Sequence, residues 1–186
     1  MDDRQRLLEI IRTRSFRQGG QFTLASGRLS TIYFNLKPTM LDPEGARLIG
    51  AAVAAAASRL GARYVGGLEM GAVPIVAATA AMSAVAGMPL HAVFIRKEAK
   101  GHGTRSLIEG LAEGESLAGS EIAVVEDVTT TGGSALRAIA TLRQAGAGVA
   151  HVITIVDREE GAGEAFASAG VSLHPLFRKG EFAVES

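Results

Sequence analysis

Short apolar runs alternate along the chain with longer stretches of helical periodicity, and this order predicts a series of elements. Asp3–Arg14 sets Leu and Ile at helical spacing among charges and predicts an amphipathic helix. Phe22–Leu24 and Ile32–Asn35 predict short strands around a turn at Ser26–Gly27. Pro43–Leu60 predicts a helix with Pro43 in its first turn. Tyr64–Gly67 predicts a strand, Val73–Ala86 a helix opened by Pro74, and His91–Ile95 a strand. Gly101–Gly119 is rich in Gly and charge with weak periodicity, which predicts a mobile loop within it. Glu121–Glu126, Ser134–Ala145 and Val149–Val156 predict strand, helix and strand, and Val171–Phe182 a final strand and turn. Alternation of this kind predicts an α/β fold: an open, mostly parallel twisted sheet flanked by helices. Ligands of such sheets bind beyond the carboxyl ends of strands. Glu69, Arg96, Asp127 and Asp157 all fall just after predicted strands and are expected on one edge.

A length of 186 residues favours one domain with a substantial core. The formal net charge is zero, so the composition points to neither a nucleic-acid surface nor a membrane surface. The most apolar stretch, Gly71–Met88, is interrupted by Pro74 and Ser83 and reads as a buried helix, not a membrane span. The first residues lack the apolar segment of a signal peptide. Cysteine is absent, which excludes disulfides and thiolate chemistry and fits a cytoplasmic protein. His91 and His151 open predicted strands and His174 precedes Pro175; none has a metal-ligand partner at suitable spacing.

The chemistry concentrates in two segments. In Ile122–Ser134, IAVVEDVTTTGGS, an apolar run ends in Glu126 and Asp127 and passes through Val128, Thr129, Thr130, Thr131, Gly132 and Gly133 to a helix at Ser134. A strand that meets a helix through such a loop converges backbone N–H groups and the positive helix end on one point, where a phosphate can sit. The adjacent acids suit sugar hydroxyls or a divalent cation, so phosphate and hydroxyls together suggest a ribose 5-phosphate. No GxxxxGK[ST] occurs, and no GxGxxG follows a strand, so nucleotide-binding P-loop and Rossmann readings lack support. In Phe94–Gly103, FIRKEAKGHG, four potential cations, Arg96, Lys97, Lys100 and His102, lie within seven residues ahead of a glycine-flanked stretch. They suit a highly charged anion such as pyrophosphate, and a loop closing over it would exclude water and neutralise a leaving group.

Ile122–Ser134 resembles the phosphoribosyl-pyrophosphate (PRPP) motif of type I phosphoribosyltransferases. Arg96, Lys97, Lys100, His102 and Gly103 match the R-K-x-x-K-x-H-G loop of the orotate phosphoribosyltransferase family. Phe22–Arg28 with Tyr33–Asn35 resembles that family's N-terminal hood, Gly67–Pro74 its short pyrophosphate loop, and Val156–Arg158 the segment whose Arg holds the orotate carboxylate. Ala25 and Glu126 stand where some members carry Lys and Asp. The resemblance implies a single phosphoribosyltransferase domain over residues 1–186, with about 1–40 forming the hood, and transfer of the phosphoribosyl group from PRPP to orotate. It implies catalytic roles for Lys100, His102 and Asp127. PRPP would be held by Arg96, Lys97, Lys100, His102, Glu126, Asp127, Val128, Thr129, Thr130, Thr131, Gly132, Gly133 and Ser134. The pyrophosphate loop would be Glu69, Met70, Gly71 and Ala72, and the orotate contacts Thr130 and Arg158. Mg²⁺ would be carried mainly by the substrate, with Glu126 and Asp127 the protein's candidate ligands. The resemblance further implies a homodimer whose loops reach into shared sites, so that Lys100 and His102 act in trans. Two alternatives stay open: a phosphoribosyltransferase for another base, and a PRPP-sensing regulator of the same fold, which would be expected to lose the loop cations that this chain keeps.

Overall fold

The computed structural model describes residues 1–23, 29–98 and 106–182. Helix α1 (Asp3–Arg14) leads into an antiparallel hairpin of β1 (Phe16–Thr23) and β2 (Leu29–Phe34). A short α2 (Lys37–Met40) precedes α3 (Pro43–Arg59). Then follow β3 (Tyr64–Leu68), α4 (Ala72–Val85), β4 (His91–Ile95), β5 (Ile108–Glu109), β6 (Glu121–Thr129), α5 (Gly133–Gln144), β7 (Gly148–Asp157), α6 (Ala162–Ser168) and β8 (Ser172–Arg178), closed by a 3₁₀ turn at Lys179–Glu181. The main sheet runs β5-β4-β3-β6-β7-β8, parallel throughout except for the antiparallel β4–β5 pair. The open, mostly parallel sheet expected from the sequence is therefore what the chain forms.

The sheet separates two apolar cores, and the pleat of β6 shows how. Ala123 and Val125 join one core with α1, α3 and the start of α4, while Ile122 and Val124 join the other with α5 and α6. Successive strand residues point to opposite faces, so a strand covered on both sides must be apolar without interruption. Helix α3 starts sharply because Asp42 Oδ1 accepts from the N–H groups of Glu44 and Gly45, with Pro43 in the first turn. Small residues then let α3 approach α4: a Cβ on Gly50 would lie 2.5 Å from the Ala78 carbonyl oxygen. The first forty residues share the larger core, since Leu7, Ile10, Ile11, Phe16, Phe34 and Leu36 pack with Ile153, Ile155 and Phe177.

Several boundaries differ from the sequence reading. The hairpin strands are longer than Phe22–Leu24 and Ile32–Asn35, and β1 carries a register shift between Gln18 and Phe22. Strand β6 does not stop at Glu126: it runs on to Thr129, because Val128 and Thr129 pair with Val156 and Asp157 of β7. Residues 106–119 contain β5 and the fully buried Leu117, an anchored return path that weak periodicity concealed. Helix α6 has no counterpart among the expected elements because seven residues rich in Ala and Gly give almost no pattern, although its Phe166 is completely buried. Among the described residues no helix is long and apolar enough to cross a membrane.

Candidate active site

The strand order reverses beside β3. The chain moves outward from β3 to β4, then returns to β6 on the other side and continues to β7 and β8. In an open α/β sheet this switch leaves a crevice at the carboxyl ends of the two central strands. Here those ends are the β3–α4 turn at Glu69–Gly71 and the β6–α5 turn at Thr130–Gly132.

The β6–α5 turn is a pocket of about 260 Å³ lined by Glu126, Val128, Thr129, Thr130, Thr131, Gly132, Gly133 and Ser134. Gly132 caps α5 in the left-handed conformation, φ 84°, and no side chain occupies the helix N-terminus. The first N–H groups of α5 have no intrahelical acceptors, which suits an anion. Larger grooves exist, including one of about 500 Å³ between α1, α3 and β8, but that one is lined by no residue of the β3–α4 or β6–α5 turns.

Glu126 and Asp127 differ sharply. Glu126 is 8% exposed, and its Oε2 is buried with no hydrogen-bond partner among the described residues. Burial, reinforced by the charge of Asp127, pushes the Glu126 carboxyl up to about 8. Asp127 Oδ1 accepts from the N–H of Val128. The β3–α4 turn comes directly against it: a Cβ on Gly71 would lie 2.9 Å from Asp127 Oδ1. Any residue but glycine there would press on the carboxylate. The Glu69–Met70 peptide is cis, and Met70 is largely exposed. Glu69 Oε1 accepts from the Lys97 N–H at 2.8 Å, and Arg137 of α5 donates to the Lys97 carbonyl at 3.4 Å. The ends of β3 and β4 and helix α5 are thus stitched together. Arg96 turns toward Glu109, 3.7 Å away, and its N–H donates to the Leu107 carbonyl at 2.8 Å. Lys100 and His102 lie outside the described residues.

The Thr129 hydroxyl donates to Asp157 Oδ1 at 3.2 Å and so faces β7 and away from the phosphate loop, a consequence of the longer β6. The loop proper starts at Thr130, whose carbonyl accepts from the Ala162 N–H, while the Arg158 N–H donates to the Thr129 carbonyl. The turns that carry Thr130 and Arg158 are therefore bonded side by side. Arg158 is only 4% exposed. Its Nε and Nη2 both reach Glu160 Oε1, at 3.0 and 2.8 Å, and Nη2 also donates to Ser30 Oγ of β2 at 3.0 Å. The sequence reading singled out neither Glu160 nor Ser30. Ser30 lies 128 positions from Arg158, and no local pattern could join them.

The remaining described histidines sit away from this crevice. His151 and His174 meet across β7 and β8, with Nδ1 and Nε2 3.2 Å apart, and His91 packs on the Tyr64 ring. Among the described residues no group of three His, Cys, Asp or Glu side chains is placed to hold a metal ion.

Comparison with known proteins places these features. Residues 42–173 match the model of the phosphoribosyl transferase domain. The chain is 59% identical over 179 residues to an orotate phosphoribosyltransferase of Bradyrhizobium sp. (strain ORS 278), covering 96% of each chain. It superposes with a TM-score of 0.84 and 34% identity on an orotate phosphoribosyltransferase of Mycobacterium tuberculosis solved with Fe(III) dicitrate, covering 98% of this chain and all of that one. A structure of the same M. tuberculosis protein in complex with PRPP gives a TM-score of 0.80 at 32% identity, again covering 98% of this chain and all of that one.

Proposed function

The chain belongs to the orotate phosphoribosyltransferase family, and from that premise we propose how its crevice transfers the 5-phosphoribosyl group of PRPP to orotate, giving orotidine 5′-monophosphate and pyrophosphate. The observation that carries the assignment of roles is the juxtaposition at the switch point of two adjacent acids, one of them buried, a helix N-terminus without a side-chain cap, and a buried arginine.

Breaking the bond from the anomeric carbon to pyrophosphate oxygen builds positive charge on the ribose and negative charge on the leaving group. A ring nitrogen of the base then supplies the electron pair for the new bond to that carbon. Positioning and electrostatics suffice for such a step. Backbone N–H groups of the turn from Thr130 to Ser134, continuous with Val128 and Thr129, cradle the 5′-phosphate. Glu126 and Asp127 hold the ribose hydroxyls, directly or through water. The backbone of Glu69–Ala72 and the cations Arg96, Lys97, Lys100 and His102 take the pyrophosphate. Thr130 and Arg158 face the base, where the guanidinium fork matches a carboxylate.

The donor set fits Mg²⁺ carried by the substrate: it offers two adjacent carboxylates, one with an orphaned buried oxygen, and among the described residues no group of three. Most ligands must then be pyrophosphate and ribose oxygens, and the bound cation supplies charge neutralisation at the leaving group. A homodimer with shared sites, Lys100 and His102 reaching into the neighbour's crevice, and a cytoplasmic setting complete the reading. Purified protein given PRPP, Mg²⁺ and a panel of bases should convert orotate and leave adenine, hypoxanthine and uracil essentially unreacted. Preferential use of a purine would overturn the assignment of the base side.

A further inference from the structure

The loop after β7 contains a charge that the transfer reaction does not require. Asp157 Oδ1 accepts from the Glu159 N–H at 2.9 Å, Glu159 adopts φ 56°, and Gly161 follows at φ 103°. A left-handed conformation at a non-glycine residue is uncommon and costs energy, so it persists only where the surroundings enforce it. Its effect here is to fold Glu160 back onto Arg158 two positions earlier. Glu160 Oε1 takes the Nε–Nη2 edge of the guanidinium, and the Ser30 hydroxyl takes the second Nη2 hydrogen. Nη1 takes part in neither of these contacts.

The side chains of Arg158 and Glu160 are 5% and 16% exposed. A buried arginine without a counter-charge is strongly unfavourable, so a pocket built around one needs a compensating anion while it is empty. Glu160 supplies it. The pair sums to zero charge, and an arriving carboxylate brings the cluster to −1. The negative charge on Glu160 opposes that arrival at the range of one guanidinium group.

On the reading that Arg158 faces the base carboxylate, we propose that Glu160 is a specificity-determining residue that holds Arg158 as a neutral pair in the empty pocket and weakens its grip on the carboxylate of the base and of the mononucleotide product. The device favours product release over tight binding. Glu160→Gln keeps the hydrogen-bond acceptor and the volume but removes the charge. It should tighten orotidine 5′-monophosphate by about three- to thirty-fold, the range for one like charge removed at this separation in a partly screened site. Uridine 5′-monophosphate, which lacks only the carboxylate, should bind the variant as it binds the wild type.

The measurement is equilibrium titration of both mononucleotides into wild type, Glu160→Gln, Glu160→Ala and Arg158→Ala, with thermal unfolding of each variant. The second neutral variant, Glu160→Ala, should shift the carboxylated ligand in the same direction if charge is the cause. Unchanged or weaker binding of orotidine 5′-monophosphate by the Glu160 variants, or equal tightening of both ligands, overturns the proposal. Arg158→Ala separates the two levels. If it weakens only the carboxylated ligand, the base-side reading stands and the outcome for Glu160 is decided by its own variants. If it leaves that ligand unaffected, the placement of Arg158 is wrong, and the role of Glu160 falls with it.

Discussion

Two adjacent glycines in the phosphate turn should respond in opposite ways to the addition of one methyl group. Gly132 sits at φ 84°, and a Cβ there would lie 2.8 and 2.9 Å from two ring carbons of Phe166. That ring is fully buried in the core with α5. Gly133, at the first position of α5, has nothing within 4 Å of its would-be Cβ and no left-handed backbone. For Gly132→Ala the left-handed conformation costs about 1–2 kcal/mol. Overpacking against Phe166 costs about 1–3 kcal/mol more. Together these make about 2–5 kcal/mol, or a fall in Tm of roughly 4–20 °C for a domain of this size. Gly133→Ala should be neutral or slightly stabilising, because alanine is the better helix former. Thermal or denaturant unfolding of the two variants measures the difference. A cycle with Phe166→Leu divides it further: the smaller side chain should recover the steric part of the Gly132→Ala loss and leave the backbone part. Stabilities of the two alanine variants within about 0.5 kcal/mol of each other would refute the reasoning. Since the same turn presents its N–H groups to the ligand, Gly132→Ala should also weaken PRPP, and Gly133→Ala should do so far less.

Other expectations follow from the acid pair and the cationic segment. The Glu126 carboxyl, raised from its ordinary value near 4.5 to about 8, takes up a proton in the folded protein that the unfolded chain has released. Stability should therefore fall as pH rises between those values, by at most about 1.4 kcal/mol per pH unit, and level off above them. Urea unfolding across this range should show the slope in the wild type, and Glu126→Gln should remove most of it; a slope that survives the substitution belongs to other groups. Lys100→Ala should lower kcat while the fold is kept, since a cation acting on the leaving group matters most in the transition state; a wild-type kcat would take Lys100 out of the mechanism. If sites are shared in a dimer, mixing inactive Lys100→Ala with inactive Asp127→Ala should restore part of the activity, because one site of the mixed dimer combines an intact Asp127 with an intact Lys100. No recovery after demonstrated subunit exchange would rule out sharing.

The parts of this molecule that the sequence made legible are those encoded locally. The run from Ile122 to Ser134 carries its own strand, acids, turn and helix start, so the pocket at the β6–α5 turn is encoded in thirteen neighbouring residues. The alternation of apolar runs with helical periodicity likewise gave the parallel sheet, because strands buried on both faces must be apolar throughout. What stayed hidden depends on distant partners or weak patterns. The extension of β6 past Asp127 is set by pairing with β7, which composition at positions 127–129 does not announce. Strand β5 is two residues long and exists because β4 offers an open edge. The contact of Ser30 with Arg158 joins the hairpin to the sheet across most of the chain. Glu160 carries no signal of its own, since an acid two places after an arginine is ordinary until an unusual backbone turn folds it inward.

That turn and the strand reversal at β3 together divide the labour of the crevice. The groups assigned to phosphate and pyrophosphate hang from the ends of β3, β4 and β6, whereas Arg158, Glu160 and Ser30 hang from the end of β7 and from the hairpin. Glu160 and Ser30 are both bonded to Arg158. On the proposed assignment, the base side is therefore a composite of two pieces distant in sequence, the hairpin and the β7 turn, which meet only at Arg158. For an engineer the practical rule is to graft both pieces together, because either one transplanted alone would leave a buried guanidinium with half its partners.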